Sequence, residues 1–181
     1  LEALEALAPS VARLWVASGS LEAARARVPA HWIVEPQAEG DLGARMGEAW
    51  RVAAAERVVI VGADAPSMSA ARVEAALTAL GTADVVVGPT LDGGYDLLGL
   101  RRREAAVLDD MPWSTPELLR VTRARARGAG LVLAELEPGF DVDTGEDLID
   151  LAARLDARAA AAPRTRAWLA ALRPGHYPAA P

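Results

Sequence analysis

The chain has neither cysteine nor lysine among its 181 residues. Without cysteine there is no disulfide, no thiolate nucleophile and no zinc–thiolate site. Without lysine there is no amine base and no Schiff-base chemistry, so any cationic side chain that meets a phosphate must be a guanidinium. Histidine is scarce: His31 falls in a strand pattern and His176 in the C-terminal tail, an arrangement that speaks against a Ser–His catalytic pair. No apolar run approaches the roughly 18 to 20 residues of a membrane span. The first residues, LEALEALAPS, lack the basic start and apolar core of a signal peptide. A cytoplasmic home is the expectation that these absences permit. Walker-type G-x-x-x-x-G-K-S/T, dinucleotide-type G-x-G-x-x-G and hydrolase-type G-x-S-x-G sequences are missing as well.

What is present is ordinary for a globular chain: 52% hydrophobic and 24% charged residues, enough for one domain with a full-sized core. We expect a single domain over residues 1–181, with 163–181 as a C-terminal helix and tail. The net charge of −6 argues against a nucleic-acid partner, whose footprint is basic. Arg101, Arg102 and Arg103, and the run Arg120, Arg123, Arg125 and Arg127, read as solvated faces.

Short apolar segments alternate with longer helical patterns. Residues 12–17, 31–35, 57–62, 83–88, 95–100 and 131–136 read as strands. RVVIVG at 57–62 carries four β-branched apolar residues in a row, which predicts burial on both faces. Residues 42–56, 70–80, 115–127, 146–159 and 165–172 carry helical spacing. Strands alternating with helices imply an α/β sandwich, in which ligands bind beyond the carboxyl ends of the strands.

Five motifs can be placed against that rule. GADAP (62–66) follows a strand, and Asp64 there is either a hard oxygen ligand for Mg²⁺ or Mn²⁺ or a loop acid bonded to its own backbone. In DVDTGEDL (141–148) capping explains Thr144, Glu146 and Asp147 but not Asp141 or Asp143. DGGYDLLG (92–99) is either a strand-opening turn or a loop stripped so that a ligand can approach the backbone. MPWSTPELL (111–119) reads as a helix start capped by Ser114 or Thr115, with Trp113 in the core or lining a pocket. In EGDLGARM (39–46) Asp41 reads as a cap, and Arg45 lies one turn in.

In collinear order these segments resemble a bacterial family of glycosyltransferase-A-like proteins. Its members include the radical-SAM/selenodomain-associated transferases of the nucleotide-diphospho-sugar transferase superfamily. The likeness covers roughly residues 1–152. It implies a three-layer α/β/α sandwich with a mixed, mostly parallel sheet, and a metal-dependent transferase that takes a nucleotide or nucleotide-sugar donor and a small-molecule acceptor. Glycosyl transfer is the first expectation. Guanylyl-type nucleotidyl transfer is the second, because phospholactate guanylyltransferase is a relative with a similar glycine loop. A catalytically inactive nucleotide- or partner-binding member is the third. The resemblance puts Asp64 and Asp143 on Mg²⁺ or Mn²⁺, and Gly62, Ala63, Asp64 and Arg45 on the nucleotide. It makes Asp92 the catalytic carboxylate, and it sets Gly93, Gly94, Tyr95, Trp113, Ser114 and Thr115 around the acceptor. It also implies a lysine-containing phosphate loop and a central strand ahead of Leu1, whose absence would leave Val58–Val61 short of a neighbour. Asp96 stands where the family commonly has a second aromatic, which marks it for an unusual acceptor. Oligomeric state is left open.

Overall fold

A computed structural model describes residues 2–65, 68–140, 142, 145, 149, 151–153 and 163–171. After a 3-10 turn at Glu2–Ala6 come β1 (Leu14–Ala17), α1 (Leu21–Arg25), β2 (Ile33–Pro36), α2 (Leu42–Ala53), β3 (Val58–Val61), α3 (Ala70–Ala79) and β4 (Val85–Pro89). They are followed by β5 (Tyr95–Leu100), α4 (Ala105–Leu108), α5 (Leu118–Gly128), β6 (Leu133–Glu135) and α6 (Pro163–Ala171). All six expected strands form. The helix expected over 146–159 lies largely outside the described residues.

Two sheets result. β1 and β2 pair in parallel, and four strands run in the order β3-β5-β4-β6. β5 alone runs against its neighbours in that second sheet; β4 and β6 are parallel. One face of the four-stranded sheet packs Val86 and Leu97 against Val73 and Ala76 of α3 and Leu80 at its end, with Leu7 just after the N-terminal turn alongside. The other face packs Val85, Val87, Leu98 and Leu100 against Met46 of α2, Val107 and Leu108 of α4, and Leu119 and Ala126 of α5. The sandwich therefore has three layers, because the central strands are apolar on both faces and each face needs a helical cover.

The N-terminal turn is bound to this core by Arg13, itself buried. Its guanidinium donates to the carbonyls of Leu4, Val11 and Leu7 at 3.0, 2.9 and 2.6 Å. A buried cation is tolerated where its donors are spent in this way.

Two expectations are corrected here, and two helices are added. β3 is not buried on both faces. All four of its residues are half-buried, because among the described residues β3 pairs only with β5 and forms the sheet's edge. Ser114 and Thr115 do not cap α5. The helix starts at Leu118 with Glu117 before it, Ser114 has a φ of 58°, and the Thr115 hydroxyl donates to the Pro112 carbonyl at 2.8 Å. Two short helices, α1 and α4, escape the periodicity because each is shorter than two turns. By contrast, Asp41 caps α2 as expected, its carboxylate accepting the Ala44 N–H at 2.8 Å.

The arginine runs are surface features. Arg102 pairs with Glu104, Arg103 with Asp109, and Arg123 makes a two-bonded pair with Glu135 at 2.7 Å through each nitrogen.

Candidate active site at the carboxyl edge of the sheet

Strand direction gathers the motifs. β3 ends opposite the start of β5, Val61 facing Leu97, and β4 ends at Pro89 facing Tyr95. β6 runs parallel to β4 and ends beside Val87. The carboxyl ends of β3, β4 and β6 thus share one edge with the amino end of β5. GADAP, the DGGY loop and the segment after β6 all leave the sheet there. Backbone bonds knit them together: the Gly62 N–H donates to the Asp96 carbonyl at 2.9 Å, Gly139 to Pro89 at 2.7 Å, and Val142 to Asp64 at 3.2 Å.

Asp64 is exposed, and its Oδ1 folds back over the α-carbon of Gly62. No hydrogen bond from the described residues to its carboxylate competes for its lone pairs. An open carboxylate suits a hard divalent cation that keeps phosphate or water in its remaining positions. Among the described residues no group of three His, Asp or Glu side chains forms a ready-made cage. Asp143, the expected second ligand, lies outside the described residues. Its neighbour Val142 is the one bonded to Asp64. On this footing the Asp64 carboxylate is open to a divalent cation.

In the DGGY loop, Asp92 is exposed, and its Oδ1 accepts from the Thr90 hydroxyl and from the Gly94 N–H at 3.0 Å. These bonds fix the carboxylate's orientation. Gly93 has a φ of 91°, a region that L side chains rarely enter, and its carbonyl accepts the Leu119 N–H at 2.9 Å. A Cβ there would lie 2.2 Å from the Pro116 carbonyl oxygen. The loop is therefore clamped onto the start of α5. The N–H groups of Gly62, Gly93 and Gly94 are all engaged within the chain, the Gly93 N–H by the Thr90 carbonyl at 3.4 Å. The glycines shape the loop, and their own N–H groups are spent within the chain.

Gly93→Ala is expected to destabilise the protein by about 2 to 4 kcal/mol, combining left-handed strain with overpacking. A denaturation midpoint equal to that of wild type would contradict this packing argument.

Tyr95 and Trp113 meet edge to face, their ring centroids 6.4 Å apart at 85°. Burial pushes the Tyr95 hydroxyl up to about 12, opposed by the Thr122 hydroxyl beside it. Tyr95 thus stays neutral through the physiological range, its ring packed against the apolar cluster on that face of the sheet. The Trp113 indole reaches toward Gly43 in the first turn of α2, where a Cβ would sit 2.9 Å from its Nε1 and 1.9 Å from the Leu108 carbonyl oxygen. Ser114 and Thr115 are exposed beside them.

Arg45, two residues further along α2, lines a hollow of about 300 Å³ with Ser18, Gly19, Gln37 and Glu39, at the carboxyl ends of β1 and β2. Its guanidinium donates to the Gly40 carbonyl at 2.8 Å and to Gln37 Oε1 at 3.4 Å. Ala63 is exposed.

Asp96 departs from its expected role. Its side chain is wholly covered and paired with Arg72 of α3 at 2.9 Å, so it does not face an acceptor. Burial raises its pKa, and Arg72 opposes the rise. Sequence reasoning flagged Asp96 as a break in pattern but missed Arg72, because a pair 24 residues apart has no local signature.

The family model for an uncharacterized protein conserved in bacteria, DUF2064, matches residues 1–115. A 3-phospho-D-glycerate guanylyltransferase from Phenylobacterium zucineum (strain HLK1) is 34% identical over 168 residues, which span 84% of this chain and 74% of that protein. The crystal structure of a protein provisionally described as a nucleotide-diphospho-sugar transferase, from Desulfovibrio desulfuricans G20, superposes with a TM-score of 0.80 at 29% identity. That superposition covers 93% of this chain and 76% of the other. The fold is thus the α/β fold of the nucleotide-diphospho-sugar transferases, and the chain belongs to the bacterial DUF2064 family.

Proposed function

We propose that this protein is a metal-assisted transferase with a nucleotide donor, and that the group it transfers is a nucleotidyl group, guanylyl by likeness to the Phenylobacterium protein. The observation that carries the reading is the gathering of exposed Asp64, exposed Asp92 and the Val142 segment on one edge of the sheet, in a chain with that relative. The narrower radical-SAM/selenodomain subtype rests on the sequence motifs alone.

Asp64, together with Asp143, would hold Mg²⁺ or Mn²⁺. When bound, such an ion offsets the charge that gathers on the donor phosphates. The residues of the chain do the positioning. Arg45 and the hollow beside it take part of the nucleotide, and Tyr95 and Trp113 wall the acceptor. Asp92 accepts a hydrogen bond from an acceptor hydroxyl, with its own rotation blocked by Thr90 and Gly94.

In nucleotidyl transfer to a phosphorylated acceptor, an acceptor phosphate oxygen forms the new bond to the donor α-phosphorus, and the bond to pyrophosphate breaks. A phosphate monoester with a second pKa near 6 is already ionised at neutral pH, so no base is required. In sugar transfer the attacking group is a hydroxyl, and Asp92 must then take its proton. The structural neighbour and the Tyr95–Trp113 wall keep that second reading in view.

The test is incubation with GTP, Mg²⁺ and 3-phosphoglycerate, alongside GDP- and UDP-sugars. Pyrophosphate release supports the nucleotidyl reading, and nucleoside diphosphate release from a sugar donor supports the other. If none of the four nucleoside triphosphates yields pyrophosphate with any phosphorylated three-carbon acid, the nucleotidyl assignment fails.

A further inference from the structure

We infer that Arg72 and Asp96 form a positioning pair that fixes the two sides of the carboxyl edge relative to each other; the inference rests on the assignment of that edge as the active site. Asp96 is the extra residue of a β-bulge: Gly88 faces Leu97 and Pro89 faces Tyr95, which leaves Asp96 without a partner on β4. A bulge re-aims a side chain, and here it turns Asp96 toward α3 while Tyr95 joins the opposite face.

The Asp96 carbonyl holds Gly62, at the root of GADAP, and its carboxylate Oδ1 accepts from Arg72 Nη2 at 2.9 Å and Nε at 3.3 Å. Arg72 is fixed in the first turn of α3, its N–H donating to the capping Ser69 hydroxyl oxygen at 3.2 Å. From there its Nη1 donates to the Glu137 carbonyl at 2.6 Å, on the segment that continues through Gly139 to Val142. One guanidinium thus connects β5, α3 and the segment after β6.

The space around the pair is closed. A Cβ on Gly139 would lie 2.0 Å from Asp96 Oδ2, and one on Gly88 would lie 2.4 Å from Oδ1. Asp96 Oδ2 itself has no hydrogen-bond partner among the described residues. A buried ion pair is an indifferent way to stabilise a core, since apolar replacements of similar volume often serve as well. A pair with one oxygen left unsatisfied is a poorer one still. What an apolar replacement cannot supply is the reach from Asp96 to the Glu137 carbonyl. Asp96 is wholly covered, and the Arg72 guanidinium is spent on it and on the Glu137 carbonyl. Their work is to set where Asp64 and the segment through Val142 stand relative to each other.

The test is the double variant Arg72→Met/Asp96→Leu, together with Arg72→Lys, followed by amide hydrogen exchange and Mn²⁺ titration. In the double variant we expect wild-type-like protection at Val85, Val86 and Val87, but exchange at Gly139 and Val142 faster by tenfold or more. Mn²⁺ affinity, read by water-proton relaxation with the metal alone, should fall about tenfold. Arg72→Lys keeps the charge and loses the fork, so it should show the same local effect at about threefold. If the double variant does not fold, the lysine variant decides. Unchanged exchange at Gly139 and Val142 in a folded variant overturns the inference. Wild-type protein that binds no Mn²⁺ counts against the metal assignment instead, and the exchange data still decide the role of the pair.

Discussion

Asp64→Asn is expected to lower transfer by about a thousandfold while leaving the fold intact. The magnitude follows from the several kcal/mol that a bound cation contributes at a phosphate, at about 1.4 kcal/mol per tenfold in rate. The fold is expected to survive because the exposed Asp64 side chain makes no hydrogen bond to the described residues; its backbone carbonyl holds Val142, and that bond does not depend on the side chain. Surface replacements of this kind cost within about 0.5 kcal/mol. Pyrophosphate release and the melting temperature, measured on one preparation, separate the two effects. Full activity in a folded Asp64→Asn protein would remove the metal assignment. Loss of activity with loss of fold would contradict the description of Asp64 as structurally free.

Gly43→Ala is expected to destabilise the protein by about 2 kcal/mol, although helix propensity alone says that it should stabilise by about 1 kcal/mol. Gly43 lies in the first turn of α2, where alanine is the better helix former. A Cβ there, however, would stand 1.9 Å from the Leu108 carbonyl oxygen and 2.9 Å from Trp113 Nε1. The first neighbour is backbone and cannot rotate away, so α2 or α4 must move. For a chain of this length the melting temperature should fall by about 4 to 8 °C. Movement of α2 also displaces Trp113 and Arg45, so the Michaelis constants for donor and acceptor should rise. A variant more stable than wild type would show that α2 and α4 are not packed as described.

How much of this was legible follows from what each feature depends on. β5 was legible to the residue, because Gly94 precedes it and an apolar run fills it. Asp41 was legible as a cap, because capping is settled within three residues. The carboxyl-end rule was enough for Asp64 and Asp92, because each follows directly on a legible apolar strand, β3 and β4. The bulge at Asp96 was not legible: whether a strand carries an extra residue depends on its partner strand. Nothing local sets Arg72 apart within the helical pattern over 70–80; its first-turn position brings it over β5. The exposure of β3 could not be read from RVVIV, since a central and an edge strand of that composition look alike until the neighbours are counted. The cap at Ser114 or Thr115 failed because the local rule was overridden by the clamp between Gly93 and Leu119, which sets where α5 can begin.

β3 also bears on self-association. Val58–Val61 is a stretch of four β-branched residues on an edge with one row of backbone groups unpaired among the described residues. Such an edge is a template for another strand, including a copy of itself. Arg57, anchored to the Leu77 carbonyl at 3.1 Å, and the exposed carboxylate of Asp64 put a charge beyond each end of that edge, the kind of placement that discourages strand-to-strand pairing.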